Sequence, residues 1–157
     1  MITPSVILAI DPGLATGVAV VTHDGHDLAV VYSGEFDPME TGVVVRNLLH
    51  EHTPSEIVIE RFTITTATAK NSQAPWSLEV IGMVKWLVYI GQGAAPDEVI
   101  IMQGPAEAKR LITNDILKKH GLWHVGGAGH ANDAIRHAVY RYARLGWRKP
   151  WEETTSS

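Results

Sequence analysis

Four polar residues lie where an apolar run of the sequence ends or a helix begins, and side chains of these types could together catalyse a reaction. Asp11 is the single charged residue of the stretch VILAIDPGLATGVAVV, and Glu60 directly follows the apolar run IVI. His130 and Asp133 are three residues apart in GHANDAIRH. A carboxylate at the end of a buried strand is costly unless something binds it, so these positions indicate a bound group.

The chemistry that this set favours is metal-assisted phosphoryl transfer. Carboxylates brought to one point repel each other unless protons or cations lie between them. Oxygen donors suit Mg²⁺ or Mn²⁺, and two such ions about 3.5–4 Å apart stabilise the attacking and leaving oxygens of an in-line displacement. Asp11, Glu60, His130 and Asp133 are therefore predicted to be catalytic and to hold two ions. His130 is predicted either to bind Mn²⁺ or to take the proton of the attacking water.

Each of the four residues also has a simpler interpretation. Asp11 in DPG is typical of a turn, and Glu60 could be an ordinary solvated side chain. His130 and Asp133 could only cap a helix and interact with its dipole. Only their combination, in this order along the chain, favours one shared site.

The elements that must position these residues follow from hydrophobic patterning and turn signals. An Asp-Gly pair at 24–25 predicts a hairpin, and 63–74 is predicted to be a loop. Strands are predicted at 6–10, 17–22, 28–33, 57–59 and 98–103, and helices in the second half of 37–52 and at 75–90, 105–119 and 130–145. This order predicts an α/β fold with a mixed five-stranded sheet flanked by helices. The first three strands are antiparallel, and the last two are parallel to the first.

The composition bounds the class of protein. The chain has 157 residues, of which 45% are hydrophobic and 19% charged, which suits one domain (1–147) followed by a tail (148–157). It has no cysteine, which fits a reducing cytoplasm. No basic leader is recognised, and no uncharged apolar run approaches the roughly 18 residues of a membrane span. A cytoplasmic protein without a membrane partner is expected.

Charge is distributed unevenly along the chain. The net charge is −4; residues 1–60 carry nine acidic residues and one basic, and residues 61–157 carry eight acidic and twelve basic. Such asymmetry can place a basic face beside an acidic pocket, although solvated helix faces are the simpler interpretation. The basic residues cluster at Lys109, Arg110, Lys118 and Lys119, and again at Arg136, Arg141, Arg144, Arg148 and Lys149.

Three blocks of the sequence resemble the motifs of the RuvC family of Holliday-junction resolvases, within the ribonuclease H-like superfamily. The blocks are AIDPGLATGVAVV, IVIERF and GHANDAIRHAV, and the resemblance spans about residues 5–145. It implies that Asp11 and Glu60 are the family's strand-one and strand-four carboxylates. Many members have an acidic pair on the last helix, but this sequence resembles the form that has His130 before Asp133.

The resemblance also implies a function and its partners. It implies a homodimeric, Mg²⁺- or Mn²⁺-dependent endonuclease that resolves Holliday junctions, and other branched DNA, by symmetric nicks. The net acidic charge is unusual for such enzymes and suggests more salt-sensitive binding or broader branched substrates. A short chain of this kind is also one that a bacteriophage would encode. No small-molecule substrate is expected, and the residues implied to contact DNA are Phe62, Lys70, Lys109, Arg110 and Lys118.

The helix at 75–90 supports a dimer independently of the resemblance. Its charged residues are only Glu79 and Lys85, so apolar residues surround it, and a helix of this kind needs two burying surfaces. One would be the sheet, and the other the same helix of a second copy. The alternative is a central helix that is covered within one chain.

Other functions on similar motifs are kept open. A ribonuclease H-type or YqgF-like nuclease acting on RNA or RNA–DNA hybrids would use the same fold. A non-catalytic branched-DNA-binding module would need no metal. The turn DPGLATG also resembles that of actin-like ATPases, but those proteins need two such domains, and 157 residues hold one.

Overall fold

The computed structural model describes residues 3–70 and 74–147. The predicted tail and positions 71–73 of the predicted loop lie outside these residues. The strands are β1 (Ser5–Asp11), β2 (Thr16–His23), β3 (Leu28–Phe36), β4 (Glu56–Glu60) and β5 (Ile100–Gln103). The helices are α1 (Pro38–His52), α2 (Thr66–Ala69), α3 (Ala74–Gln92), α4 (Pro96–Val99), α5 (Pro105–Leu111), α6 (Asn114–Lys119) and α7 (His130–Arg144).

The strands form one mixed sheet in the order β3-β2-β1-β4-β5, which confirms the predicted fold class. β1 pairs with β2 and β2 with β3 in antiparallel fashion, while β4 is parallel to both β1 and β5. Ile10 of β1 is in register with Ile59 of β4. The next residues, Asp11 and Glu60, therefore lie side by side at the carboxyl edge of the sheet.

Alternation along the strands divides the core into two layers. Ile7, Ala9 and Val58 pack with α7 on one face of the sheet, while Leu8 and Ile10 pack with α1 and α3 on the other. Successive side chains of a strand point to opposite faces. Asp11 and Glu60 are in phase with Ala9 and Val58, so they face α7.

Helix α7 packs against the sheet as predicted. Ala134, Ile135 and Ala138 are fully buried in the layer between α7 and the sheet. The small side chains of Ala134 and Ala138 let the helix approach the strands closely. Ala138 follows Ile135 at i+3 and Ala134 at i+4, which keeps the three residues on one face. That face ends at the helix N-terminus beside the carboxyl ends of β1 and β4, where a polar site can form.

Helix α3 buries one face and exposes the other. Val80, Val84 and Val88 pack in the second layer, whereas Trp86 and Tyr89 are exposed. The described part of this helix is thus not covered on all sides by its own chain. Within residues 3–70 and 74–147, no helix has the length and apolar character that a membrane crossing needs.

The predicted helix over 105–119 is wrong, because the chain forms two short helices there. α5 ends at Leu111, and α6 begins after Thr113, whose hydroxyl accepts a hydrogen bond from the Ile116 N–H. A capping threonine satisfies an N–H that a continuous helix would bond to its own backbone. The side chain of Arg136 also reaches the Ile112 carbonyl at this break, at 2.6 Å.

Further differences from the predicted bounds occur in the predicted loop, the last strand and the first helix. The predicted loop contains the short helix α2, which Thr65 caps through the Thr68 N–H. The predicted strand over 98–103 begins only at Ile100, since α4 occupies Pro96–Val99. Helix α1 fills the whole segment after Asp37, which forms a reciprocal capping box with Glu40.

Candidate active site

The four residues predicted to do chemistry line one cavity of about 350 Å³ at the carboxyl ends of β1 and β4. Asp11 and Glu60 come from the strands, and His130 and Asp133 from the first turn of α7. The turn after β1 forms one wall, and α5 contributes a lysine to the rim. The other lining residues are Pro12, Gly13, Leu14, Ala15, Phe62, Thr68, Ser77 and Lys109.

Asp11 is held by burial and by one imidazole. Only 8% of Asp11 is exposed, and its Oδ2 lies 2.9 Å from Nδ1 of His130. Burial, the largest cause, and the neighbouring Glu60 carboxylate together raise the pKa of Asp11 to about 6, against the opposing effect of the His130 hydrogen bond. Negative charge on Asp11 is therefore unfavourable until positive charge enters the cavity.

The N-terminus of α7 is capped by a carboxylate of the edge strand β3. Glu35 of β3 accepts hydrogen bonds from the N–H groups of Ala128 and Gly129, each at 2.8 Å, and of Ala131 at 3.2 Å. Burial alone would raise the pKa of Glu35, but these three donors outweigh it and lower that pKa. A carboxylate at a helix N-terminus also interacts favourably with the helix dipole. Glu35 thereby fixes the turn that presents His130.

Close approach between β2 and α7 requires a glycine at position 17. A Cβ atom added to Gly17 would lie 1.9 Å from the backbone oxygen of His130. Any side chain there would push the first turn of α7 away from the sheet. The glycine in LATGVAVV is thus part of what brings His130 to Asp11.

Glu60 is bound by a second histidine of α7. Its Oε2 lies 2.8 Å from Nε2 of His137, whose Nδ1 lies 2.8 Å from Oε1 of Gln103 on β5. His130, Asp133 and His137 occupy positions i, i+3 and i+7, which form one stripe along a helix. The stripe faces the carboxyl ends of the three parallel strands.

Asp133 is held by two cations. Lys109 Nζ lies 3.1 Å from its Oδ2, and the Arg136 guanidinium bonds its Oδ1. Burial alone would lower the pKa of Lys109, but the hydrogen bond and the charge of Asp133 outweigh it and raise that pKa. Arg136 also bonds the side chain of Asn114, so it links α7 to the α5–α6 break.

The predicted second basic cluster is not a free surface. Arg136 is only 6% exposed, and its guanidinium bonds the Ile112 carbonyl, Asp133 and Asn114. Arg141 forms a paired contact with Glu56, with two N–O distances of 2.7 Å. Arg144 is exposed. Arg148 and Lys149 lie outside the described residues.

The five residues expected to contact DNA fall into different places. Phe62 and Lys109 line the cavity. Lys70 is exposed at the C-terminal end of α2. The Lys118 ammonium lies 4.7 Å from the centre of the Trp123 ring, and Arg110 lines a separate groove, together with Arg61 and Arg144.

The donor set of the cavity fits a hard divalent cation. Three carboxylates and one imidazole converge there, which are groups that Mg²⁺ and Mn²⁺ accept as ligands. Among the described residues, no three Asp, Glu or His side chains are arranged as a formed metal site. Each carboxylate is bonded instead to a histidine, a lysine or an arginine. The chemical types of these side chains suit such an ion. A bound cation would also stabilise the charged form of Asp11, which the cavity disfavours by raising its pKa.

Comparison with known proteins gives the fold. No family model and no curated protein matches the sequence. A solved structure of Thermus thermophilus RuvC in complex with Holliday junction substrate matches with a TM-score of 0.70 at 19% identity, covering 93% of this chain and 99% of that one. The chain has the same fold as RuvC. A second Thermus thermophilus RuvC structure matches over 92% of this chain and 99% of that chain, with a TM-score of 0.69 and 19% identity.

Sequence reasoning missed several residues around this cavity. His137 and Gln103 were not singled out, and neither was Glu35. For His137 a signal was available, since it follows His130 at i+7 and Asp133 at i+4 on one helical face. No comparable signal marked Glu35 or Gln103, because their partners lie on other elements of the fold.

Proposed function

We propose that this protein is a divalent-metal-dependent endonuclease that cuts branched DNA, and Holliday junctions above all. The observation that carries the proposal is the convergence of Asp11, Glu60, His130 and Asp133 on one cavity at the carboxyl edge of the sheet. The RuvC fold supports it, since Thermus thermophilus RuvC has been solved with a Holliday junction substrate.

Asp11, Glu60, His130 and Asp133 would hold two Mg²⁺ or Mn²⁺ ions. Such ions, when bound, stabilise the attacking and leaving oxygens of a phosphodiester during in-line displacement. Strand β1, buried on both faces, holds Asp11 rigidly in the cavity. His130, bonded to Asp11 through Nδ1, would use its other ring nitrogen either as a ligand or as the acceptor of a proton from the attacking water.

Contact with DNA would begin at the cavity and continue over exposed basic residues. Lys109 at the rim would contact a phosphate next to the one being cut, and Phe62 would contact an unstacked base. Lys70, Arg110 and Lys118, none of which lines the cavity, would contact more distant phosphates. Such contacts position a nucleic acid without reading its sequence.

A dimer would place two such cavities on one junction. The exposed apolar residues of α3, namely Leu78, Trp86, Tyr89 and Ile90, would pack against the same helix of a second copy. A two-fold dimer matches a four-way junction, which needs two symmetric cuts. The proposed interface lies on the face of α3 opposite the sheet.

The deciding experiment is cleavage of an end-labelled four-way junction with Mg²⁺, with Mn²⁺ and with EDTA. We expect paired symmetric nicks with either ion and none with EDTA. Asp11→Asn should abolish cleavage while gel-shift binding of the junction survives, and Asp97→Asn on exposed α4 is the matched control with full activity.

Parallel substrates separate this function from its alternatives. A fork, a linear duplex and an RNA–DNA hybrid should be cut more slowly than the junction. Preferential cleavage of the hybrid would assign a ribonuclease H-type activity instead. Junction binding by a folded wild-type protein that cuts nothing with either ion would leave only a branched-DNA-binding module.

A further inference from the structure

Glu60 is connected to the interior of the fold by a short buried chain of polar groups. The side chain of His137 is completely buried between α7 and the sheet, and Gln103 is 8% exposed. The two hydrogen bonds of the imidazole, to Glu60 and to Gln103, are each 2.8 Å long. Every heteroatom of this ring therefore has a partner.

A fully buried polar ring at this position requires a reason. An apolar side chain of similar volume would fill the same space without desolvating two nitrogens, which is costly unless each is bonded. The chain forms instead a defined arrangement in which Nε2 faces the carboxylate. A neutral imidazole that donates from Nε2 accepts at Nδ1, and the Gln103 amide can supply that donor because its oxygen and nitrogen exchange places by a half-turn.

The same arrangement fixes one oxygen of Glu60 and directs the carboxylate toward the cavity. Oε2 is bonded to His137, and no other side chain among the described residues bonds Glu60. A free glutamate at the end of a strand would populate several rotamers. One that is held through Oε2 presents its second oxygen in a restricted direction.

We infer that His137 is a positioning residue, supported by Gln103, that orients the Glu60 carboxylate for a divalent cation. The inference rests on the proposed function, which supplies the divalent cation, and on the two hydrogen bonds of His137, which fix the orientation of Glu60. Hydrogen bonds from outside a metal site orient its ligands, and their loss typically weakens metal affinity or activity about 10–100-fold.

The test compares His137→Leu and His137→Gln with the wild type. Leucine removes both hydrogen bonds, whereas the glutamine amide nitrogen can reach the place of Nε2 and donate to Glu60. Tyr142→Phe is the matched control, since Tyr142 is a fully buried residue of the same helix whose hydroxyl bonds the backbone oxygens of Ser5 and Val21, far from the cavity.

Two quantities are measured for each variant with thermal unfolding as the check of folding. The first is the Kd of Mn²⁺ by isothermal titration calorimetry without DNA, and the second is the Mn²⁺ concentration for half-maximal junction cleavage. For His137→Leu we expect both to rise about 10–100-fold. His137→Gln should recover most of the loss, and Tyr142→Phe should lower the melting temperature without changing either quantity.

Wild-type Mn²⁺ binding by folded His137→Leu would overturn the inference. If that variant does not fold, Gln103→Leu takes its place, with a smaller rise in Kd expected and an unchanged Kd overturning the proposal. A wild-type protein that binds Mn²⁺ but cuts no junction would refute the proposed function alone, and the calorimetric comparison would still decide the role of His137. A wild-type protein that binds no Mn²⁺ would refute both.

Discussion

Asp11 at the end of β1 and His130 at the start of α7 are joined by a 2.9 Å hydrogen bond, although 119 positions separate them in the chain. The bond exists because a buried strand fixes one partner and a helix packed on the sheet fixes the other. It also places a titratable ring against a carboxylate that burial already disfavours in its charged form. The stability of the fold and the chemistry of the cavity are coupled at this contact.

Asp11→Asn should stabilise the protein at pH 8 in the absence of divalent ions. Burial raises the pKa of Asp11 to about 6, so protonation of this group stabilises the fold at low pH, and that contribution is lost as the pH rises through about 6. The asparagine amide avoids this loss and can still bond His130. We expect a gain on the order of 2–3 kcal/mol at pH 8, measured by urea unfolding in EDTA.

The gain should shrink as the pH falls through about 6, where Asp11 becomes protonated in the folded state, and Asp11 is protonated in both states only below its ordinary pKa of 3.8. Asp97→Asn, on the exposed α4, should show no such pH dependence. A destabilised Asp11→Asn at pH 8 would contradict the burial argument.

Gly17→Ala should displace the first turn of α7. The added Cβ would lie 1.9 Å from the His130 backbone oxygen, so helix and strand must separate. We expect a loss of about 1–3 kcal/mol in urea unfolding, together with a loss of junction cleavage.

Gly91→Ala is the matched control for this substitution. A Cβ at Gly91 in α3 meets nothing within 4 Å, and alanine is the better helix former. That variant should be as stable as the wild type or more so. Equal free energies of unfolding for Gly17→Ala and Gly91→Ala would show that α7 can move away from β2 without a loss of stability.

Glu35→Gln should loosen the N-terminus of α7 in a pH-dependent manner. The amide oxygen is a weaker acceptor than the carboxylate for the three backbone N–H groups, so a loss of about 1–2 kcal/mol is expected at pH 7. Because the pKa of Glu35 is lowered in the fold, its contribution is present above the ordinary glutamate range and is lost as the pH falls through the lowered value.

Urea unfolding between pH 7 and pH 3 measures the free energy of unfolding of the wild type and of Glu35→Gln. The difference between these two free energies should decrease steadily as the pH falls. Glu79→Gln on the exposed side of α3 serves as the comparison and should track the wild type throughout. A difference that stays constant with pH would show that the carboxylate charge of Glu35 is not what caps α7.

Arg136→Met should be among the most destabilising substitutions on α7. Arg136 is buried and bonds the Ile112 carbonyl, Asp133 and Asn114. Its loss removes a donor from the Ile112 carbonyl and leaves Lys109 as the remaining cation beside Asp133. Removing one member of a buried ion pair costs about 3–5 kcal/mol. Arg144→Met, on the exposed end of the same helix, should change stability by less than about 0.5 kcal/mol. Similar urea midpoints for the two variants would refute a structural role for Arg136.

Trp86→Lys should convert the proposed dimer into a monomer. Trp86 is 60% exposed on α3, so the substitution places a charge in the proposed interface without opening the core. Sedimentation velocity should report the mass of one chain for the variant and of two chains for the wild type, and paired nicking should become single nicking. Lys118→Ala, a basic residue away from α3, should leave the mass unchanged. A monomeric wild type would rule out this interface.

The sheet was predictable from the sequence because its signals are local. Apolar runs of strand length and the Asp-Gly turn predict β1 to β3. The spacing of small and apolar residues in α7 predicts which face of this helix packs against the sheet. The proximity of Asp11 and Glu60 then follows from the parallel pairing of β1 and β4. None of these inferences needs a long-range side-chain contact.

The remaining features depend on tertiary contacts that no window of sequence contains. The α5–α6 break is stabilised by Arg136, which is distant in the chain and looks like a surface residue by its type. The bond between His137 and Gln103 depends on the register of β5 against α7. Glu35 reaches a helix that begins far downstream of it. In each case the role of a polar residue depends on the group that it bonds, and that group can be identified only once the fold is known.

Helix α7 covers one face of the sheet and also carries His130 and Asp133, two of the four residues that are predicted to be catalytic. A polypeptide emerging from the ribosome therefore has neither a closed core nor an assembled pocket until that helix has been synthesised and has docked. The earlier segments hold Asp11 and Glu60 but nothing that faces them. The nascent chain therefore cannot carry out the proposed reaction before α7 has docked on the sheet.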